Sequence, residues 1–103
     1  MLGLSEKDFQ ERVVQTAKLL GWMTYHTYDS RRSEPGFPDL VMIHRVRETI
    51  LVRELKSMKG KTTLPQQQWL AAFALLGIDS GVWRPDGILD GSIVETLKGA
   101  PHA

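Results

Sequence analysis

Two closely spaced apolar runs, each with a carboxylate at one end, constrain the fold of this chain more than any other feature. The first run, Leu40 to Ile43, directly follows Pro38-Asp39, and the second extends from Thr49 to Leu55. Their length and β-branched content predict two buried strands. The charged segment between them is short enough for a hairpin loop, so we expect antiparallel neighbours. This pairing brings Asp39 beside Glu54 and Lys56.

Carboxylates at neighbouring strand ends predict a metal site. Asp39 and Glu54 supply oxygen ligands, with the backbone carbonyl of Leu55 as a third, and hydrated Mg²⁺ or Mn²⁺ accepts such a set. Lys56 lies two residues after Glu54, so both side chains project from the same face of a strand. Its ammonium is suited to orient or help deprotonate a water and to offset charge developing on a phosphate. These residues predict metal-assisted hydrolysis of a phosphodiester.

The residues around this pair resemble the VRR-NUC branch of the PD-(D/E)xK nucleases. The short signature, Pro38-Asp39 followed by Glu54-Leu55-Lys56, also fits a turn aspartate and a solvated Glu/Lys pair. The flanking residues that also match the family favour the nuclease instead. The matching motifs are Gly36-Phe37-Pro38-Asp39-Leu40, Glu54-Leu55-Lys56-Ser57, Gly60-Lys61 and a glutamine shortly before Trp69. The resemblance covers most of the chain. It implies a divalent-metal-dependent DNA endonuclease with a core of helix, three strands, helix and strand.

An amphipathic helix precedes the strands. The apolar residues Phe9, Val13, Ala17 and Leu20 recur at helical spacing, and Ser5 is suited to cap the first turn. Glu6 borders the apolar stripe of this helix. The resemblance implies that Glu6 contributes to the active site, and the alternative is a first-turn glutamate that the helix dipole favours.

A second helix follows the Lys56 strand. Pro65 suits a first-turn position after the possible cap Thr63, and the apolar residues Trp69, Leu70, Phe73 and Leu76 form a stripe. The resemblance implies that one glutamine at the start of this helix faces the site. Its position relative to Gly60 and Trp69 selects Gln66, but the proline stands one residue later than is usual in the family, so Gln67 remains open.

Basic and hydroxyl residues flank the predicted site. Arg31, Arg32 and Ser33 arrive just before Asp39, and their donors are suited to phosphate oxygens. Lys59 and Lys61 follow Lys56 in a loop whose composition indicates mobility. In the resembling phage-type proteins a histidine accompanies a similar Ser-Arg-x-Ser stretch, and His26 matches it. The alternative is that His26 is a structural residue of the strand, whose ring nitrogens a neighbouring residue satisfies by hydrogen bonding.

Composition excludes several other classes of protein. At 103 residues, with 42% hydrophobic and 24% charged residues, the chain has the composition of one ordinary globular domain, residues 1–103. It lacks cysteine, which excludes disulfides and thiolate chemistry. No apolar run approaches the ~20 residues of a membrane span. We therefore expect no membrane partner, no small-molecule cofactor, and a location in the cytoplasm of a bacterial host or phage-infected cell.

The remaining elements complete an α/β (α+β) fold, a small mixed β-sheet flanked by helices. The segment Ile78 to Trp83 predicts a last strand, and Ile88 to Leu97 predicts one or two further helical turns. A small domain leaves some apolar surface uncovered, so Trp83 and the residues from Ile88 to Leu97 are candidates for a subunit interface.

The predicted substrate is DNA, and branched or junction DNA is favoured. A formal net charge of +1 excludes a generic polycation, so DNA binding depends on where the charges lie. Stand-alone members of the resembling family tend to act as homodimers on Holliday junctions, which suits two symmetric cuts. The alternatives are a flap or general nuclease, a catalytic subunit that needs a partner, and a non-catalytic nucleic-acid-binding module.

Overall fold

A mixed four-stranded sheet with helices on both faces forms the domain. The computed structural model describes residues 3–27 and 32–99. In chain order the elements are α1 Glu6–Leu19, β1 Met23–His26, β2 Leu40–His44, β3 Thr49–Leu55, α2 Leu64–Leu75, β4 Asp79–Trp83, α3 Asp86–Leu89 and α4 Ser92–Lys98. The strand order is β1-β2-β3-β4, and only the β3–β4 pair is parallel. The predicted fold class is confirmed.

Helix α1 begins and ends where its sequence predicts. The hydroxyl of Ser5 accepts a hydrogen bond from the Asp8 N–H at 3.1 Å and caps the first turn. Phe9, Val13 and Ala17 lie on one stripe and are buried against the sheet. This stripe fixes which face of α1 contacts the sheet, so Glu6 at the start of the helix lies at one end of that contact.

The β2–β3 hairpin sets the register on which the site depends. Leu40 lies opposite Arg53 and His44 opposite Thr49, in the predicted antiparallel arrangement. Glu48 in the connecting turn adopts φ 51°, a left-handed conformation that reverses the chain. One step beyond Leu40, the same register places Asp39 opposite Glu54.

The main core lies between one face of the sheet and the helices α1 and α4. Its buried apolar residues are Phe9, Val13, Ala17, Trp22, Leu40, Met42, Leu51, Leu55, Ile93 and Leu97. The Trp22 indole donates a hydrogen bond to the Leu97 carbonyl at 2.8 Å. Ile93 and Leu97 are therefore core residues, and Trp83 packs against this core beside the Arg53 guanidinium, 4.8 Å from the ring centroid. Ile93 and Leu97 are thus buried, whereas Leu89 in the same predicted segment is 56% exposed, so an interface at this segment stays a prediction.

Helix α2 lies on the opposite face and covers only part of it. It packs on β4 and β3, and the Phe37 ring lies 5.1 Å from the Trp69 ring. No residue of α2 is buried, and Leu75 and Leu76 are 86% and 76% exposed. Leu76 was predicted within the inward stripe. Its exposure follows from the contacts of Trp69 and Phe73 with Phe37, which use the inward side of the helix.

No helix within residues 3–27 and 32–99 combines the length and the apolar character that a membrane crossing requires.

Candidate active site

Asp39 and Glu54 meet where β2 begins and β3 ends. The Asp39 Oδ2 atom accepts a hydrogen bond from the Leu55 N–H at 2.8 Å. The Asp39 carbonyl accepts from the Thr27 N–H at 3.0 Å, so the end of β1 also holds this residue. These bonds from two neighbouring segments fix the aspartate backbone and one carboxylate oxygen, and they direct Asp39 toward the neighbouring glutamate.

Glu54 is a buried carboxylate in an environment that disfavours its charge. Its side chain is 2% exposed. Burial, followed by hydrogen bonding to Asp39 and repulsion from the Asp39 charge, raises the pKa of Glu54 to about 9, against an opposing effect of Lys56. Within the described residues its Oε2 atom has no hydrogen-bond partner. A buried acceptor oxygen without a donor is an expensive arrangement for a protein that only has to fold.

This donor set fits a divalent cation that keeps several waters. A cation beside Asp39 and Glu54 would satisfy the buried Oε2 atom and would offset the burial and repulsion that raise the pKa of Glu54. Among residues 3–27 and 32–99 no cluster of three or more acidic, histidine or cysteine side chains has a metal-binding arrangement. A site with two carboxylates, a backbone carbonyl and water is the kind that Mg²⁺ accepts, whereas Zn²⁺ prefers nitrogen and sulfur ligands.

A small cavity of about 160 Å³ opens in front of the two carboxylates. It brings together segments that are far apart in the sequence. Its lining residues are Thr27, Ser33, Glu34, Gly36, Phe37, Asp39, Glu54 and Gln66. The cavity therefore joins the end of β1, the loop before β2, the end of β3 and the first turn of α2.

Gly36 allows α2 to begin beside this cavity. Its φ is 84°, and a Cβ atom at this position would lie 2.6 Å from the Gln66 backbone nitrogen. Both the backbone conformation and the close approach to Gln66 exclude larger residues. The Gly-Phe-Pro-Asp motif therefore makes three contributions. Gly36 allows the close approach of α2, Phe37 contacts Trp69, and Asp39 supplies a carboxylate at the start of the strand.

The structure distinguishes between the two candidate glutamines. Gln66 lines the cavity, and its Oε1 atom accepts a hydrogen bond from the Thr63 N–H at 2.8 Å while the Thr63 hydroxyl caps the helix. Gln67 instead donates to the Thr62 hydroxyl at 3.0 Å. The capping bond uses the amide oxygen of Gln66 and leaves the amide NH₂ group as the donor that it presents at the cavity.

Lys56, Glu6 and the loop after β3 lie beside the carboxylate pair. The Glu6 Oε1 atom accepts a hydrogen bond from the Ser57 N–H at 3.3 Å. A Cβ atom at Gly60 would lie 3.5 Å from the Lys56 side chain and 3.6 Å from Glu6, so this glycine leaves space between them. The charge of Lys56 lowers the pKa of Glu54, whereas the charge of Glu6 raises it.

The loop that follows Lys56 is anchored. The Arg84 guanidinium donates to the carbonyls of Ser57 and Gly60, each at 2.6 Å, and the Gly60 N–H donates to the Ser57 hydroxyl at 3.0 Å. The sequence predicted a mobile loop from its glycine and lysines. In the structure a cation from the turn after β4 holds two carbonyls of residues 57 to 60, so the mobility of this segment stays a prediction.

The predicted DNA contacts are distributed around the cavity. Ser33 lines it, and the exposed Arg32 is the residue before Ser33. Lys59 and Lys61 are exposed on the loop beyond Lys56. His26 lies in a neighbouring groove, and Arg31 lies outside the described residues.

Sequence reasoning missed three residues at the site. Thr27 and Glu34 line the cavity, and Arg84 anchors the loop after Lys56. The Arg84-Pro85-Asp86-Gly87 segment has the composition of a turn, and nothing local indicates that its arginine reaches residues 57 and 60. The position of Glu34 shortly before Asp39 was the only available signal for a third acidic residue at the cavity.

Comparisons with known proteins agree with this geometry. The family model described as "VRR-NUC domain" matches residues 3–86. A solved structure titled "VRR_NUC domain" superimposes with a TM-score of 0.71 at 22% sequence identity, over 86% of this chain and 94% of that chain. None of the curated proteins matches the chain. The family match extends from before α1 to the start of α3 and includes the carboxylate pair, Lys56 and Gln66. The chain therefore belongs to the VRR-NUC domain family, whose domain is of the nuclease type.

Proposed function

We propose that this protein is a divalent-metal-dependent endonuclease that hydrolyses phosphodiester bonds in branched DNA. The observation that carries the proposal is the pairing of Asp39 with Glu54, a buried carboxylate whose Oε2 atom lacks a donor among the described residues. A cation is the simplest partner for this oxygen, because it satisfies the acceptor and offsets the repulsion between two carboxylates. Family membership supports the nuclease class.

Three groups would hold the metal: the carboxylates of Asp39 and Glu54 and the carbonyl of Leu55. When bound, Mg²⁺ or Mn²⁺ supplies Lewis-acid stabilisation of charge on the phosphate and lowers the pKa of a water. The Leu55 N–H, on the neighbouring strand β3, donates to the Asp39 Oδ2 atom, so the aspartate enters the reaction already oriented.

Lys56 provides a positive charge that acts on Glu54. Lys56 is half-buried, and its ammonium orients the attacking water, favours loss of a proton from that water, and stabilises negative charge that develops on the phosphate. Glu6 fixes the loop after Lys56 through the Ser57 N–H, and the Gln66 amide donates toward the cavity. These two residues support the water, the lysine or the scissile phosphate from opposite sides of the sheet end.

DNA contacts surround the reacting centre. Arg32 and Ser33 would reach the phosphates on the side of the loop before β2, and Lys59 and Lys61 would reach them beyond Lys56. Arg31, which lies outside the described residues, stays a contact predicted from the sequence. His26 contributes a further contact at the end of β1. Basic groups that surround a reacting centre position the backbone without reading base sequence, which suits an enzyme that selects DNA by shape.

A homodimer is the form in which we propose that the protein acts. The apolar residues Leu64, Leu75 and Leu76 of α2 are 66%, 86% and 76% exposed. On the same face of the sheet Met23 lies opposite Ile43, and these side chains are 57% and 41% exposed because α2 covers β3 and β4 instead. A helix and an open sheet face on each copy are suited to mutual, two-fold contact.

A substrate panel tests the proposal. Labelled four-way junction, flap, duplex and single-stranded DNA are incubated with the protein in Mg²⁺, in Mn²⁺ and in chelator. We expect metal-dependent incision that is symmetric on the junction and weaker on duplex. Equal cleavage of all substrates would indicate a general nuclease, and preferred incision of the flap a flap nuclease. Binding without cleavage in either metal would favour a partner-dependent subunit or a non-catalytic binding module.

A further inference from the structure

A second, larger groove adjoins the active-site cavity. It has a volume of about 540 Å³ and lies between α1 and the end of β1. Its described lining residues are Lys7, Gln10, Glu11, Val14, Gln15, His26 and Thr27. Thr27 also lines the cavity of Asp39 and Glu54, so the two spaces meet at this residue. An occupant of the groove would therefore lie beside Thr27, which also borders the proposed active site.

The charges in this groove do not suit a chain of phosphates. A channel that tracks a nucleic-acid backbone is lined with lysine and arginine. Here one lysine, Lys7, stands with one glutamate, Glu11, and the remaining side chains that α1 contributes are uncharged. The carboxylate would repel a phosphate that continued along the helix. Among the described lining residues, Lys7 and His26 are suited to contact a phosphate, but they do not form the continuous row of cations that a phosphate backbone needs.

The same residues suit the edge and face of a nucleobase. The amides of Gln10 and Gln15 each offer a donor and an acceptor, and Glu11 can accept a hydrogen bond from an exocyclic amine. Val14 supplies apolar surface between them. The volume lies within the range of roughly 300–1,000 Å³ that is typical of small-molecule sites. A base in a duplex is stacked and paired, so only an unpaired base can enter.

We propose that this groove binds an unpaired nucleotide that lies next to the cleaved bond in branched DNA. The inference rests on the proposed function and adds a means of substrate selection. A branch point, a flap or a mismatch supplies such a nucleotide, whereas intact duplex does not. The groove would let a domain without a separate DNA-reading module distinguish branched from continuous DNA.

Equilibrium binding in chelator tests the proposal without cleavage. Two junctions are compared, one fully paired and one with two unpaired adenines at the branch. We expect the wild type to bind the second about tenfold more tightly, a preference within the range of 1–3 kcal/mol for one bidentate base contact. Gln15→Ala and Glu11→Ala should each reduce that preference and leave binding of the paired junction unchanged. Gln68→Ala, an exposed glutamine on α2, is the matched control.

A spectroscopic measurement needs no variant. With 2-aminopurine at the unpaired position, binding to wild-type protein should change its fluorescence, and the same label within the paired arms should not respond. Equal affinity for both junctions, or an unchanged fluorescence, would overturn the proposal. Cleavage in Mg²⁺ is scored separately. If the binding preference is observed but no DNA is cleaved, the groove proposal stands and the nuclease proposal fails. If DNA is cleaved but there is no binding preference, the nuclease proposal stands and the groove proposal fails.

Discussion

At the scale of single residues, Glu54 is the least expected feature of this fold. A carboxylate at the fourth of five consecutive buried positions would be replaced by an apolar residue if packing alone mattered. Instead it faces Asp39, which raises its pKa further. The arrangement is costly for the metal-free protein, and the cation that we propose would offset this cost. Glu54 therefore links the stability of the protein to its proposed chemistry.

The pKa of Glu54 predicts how the stability of the metal-free protein depends on pH. In the folded protein this pKa is raised from 4.5 to about 9, so between these values the folded state keeps a proton that the unfolded state has lost. The stabilisation is therefore complete below the unfolded pKa and declines as the pH rises toward the folded one. In chelator we expect the Tm to fall by several degrees between about pH 6 and about pH 9.

Glu54→Gln should remove most of this decline, because the variant carries no ionisable group at that position. Thermal unfolding by circular dichroism across the pH range measures the effect, with the exposed Glu95→Gln as control. A decline of the same size in Glu54→Gln would show that another group causes it.

The sequence was sufficient to predict the residues that meet at the strand ends, because a short hairpin loop and a two-residue periodicity determine their register. Asp39 and Glu54 are examples, and the structure places them opposite each other as expected. It was insufficient for Thr27 and Arg84. Both reach the site through contacts that join segments far apart in the chain, and no local pattern encodes such contacts.

At the scale of elements, the first turn of α2 has two functions. Gln66 forms the capping box with Thr63 and also lines the cavity. The same hydrogen bonds therefore fix the start of α2, which covers Glu54, and the position of Gln66, which presents its amide at the site. Sequence left Gln66 and Gln67 undecided, since both follow Pro65 within one turn. The capping box decides which of them points back toward the loop.

Substitutions at this turn separate the two functions. Thr63→Ala and Gln66→Ala should each lower the free energy of unfolding by about 1 kcal/mol, because each removes part of the capping box. Gln66→Glu keeps an acceptor for the Thr63 N–H and loses the amide donor. We expect it to unfold like the wild type in urea and to cleave DNA at least tenfold more slowly. Equal cleavage rates for Thr63→Ala and Gln66→Glu would exclude a role of Gln66 at the site.

At the scale of the whole molecule, the main feature is the apolar surface that the fold leaves exposed. A domain of 103 residues buries a limited core, and most of that core here lies between the sheet and the helices α1 and α4. On the other face lies α2, none of whose residues is buried. The sequence predicted that some surface would be uncovered. The segment that it indicated contains the exposed Leu89 and the buried Ile93 and Leu97, because apolar periodicity does not show which face a terminal helix will bury.

Self-association through this face makes a direct prediction. Sedimentation velocity should show a dimer at micromolar concentration, and Leu75→Glu with Leu76→Glu should convert it to a monomer, because charge would be buried at the interface. Val46→Glu is the control, since Val46 is 88% exposed in the β2–β3 turn. A wild-type monomer, or a dimer in the double variant, would contradict this interface.

The chemistry itself is tested most directly by single-turnover cleavage of the preferred substrate with wild type and Lys56→Ala. We expect wild-type protein to cleave in Mg²⁺ and not in chelator, and Lys56→Ala to lose at least about 100-fold in rate, the size of a lost electrostatic contact at the transition state. The control Lys18→Ala, an exposed lysine in the last turn of α1, should cleave like the wild type. Cleavage that survives in chelator, or a Lys56→Ala rate equal to that of the wild type, would contradict the account.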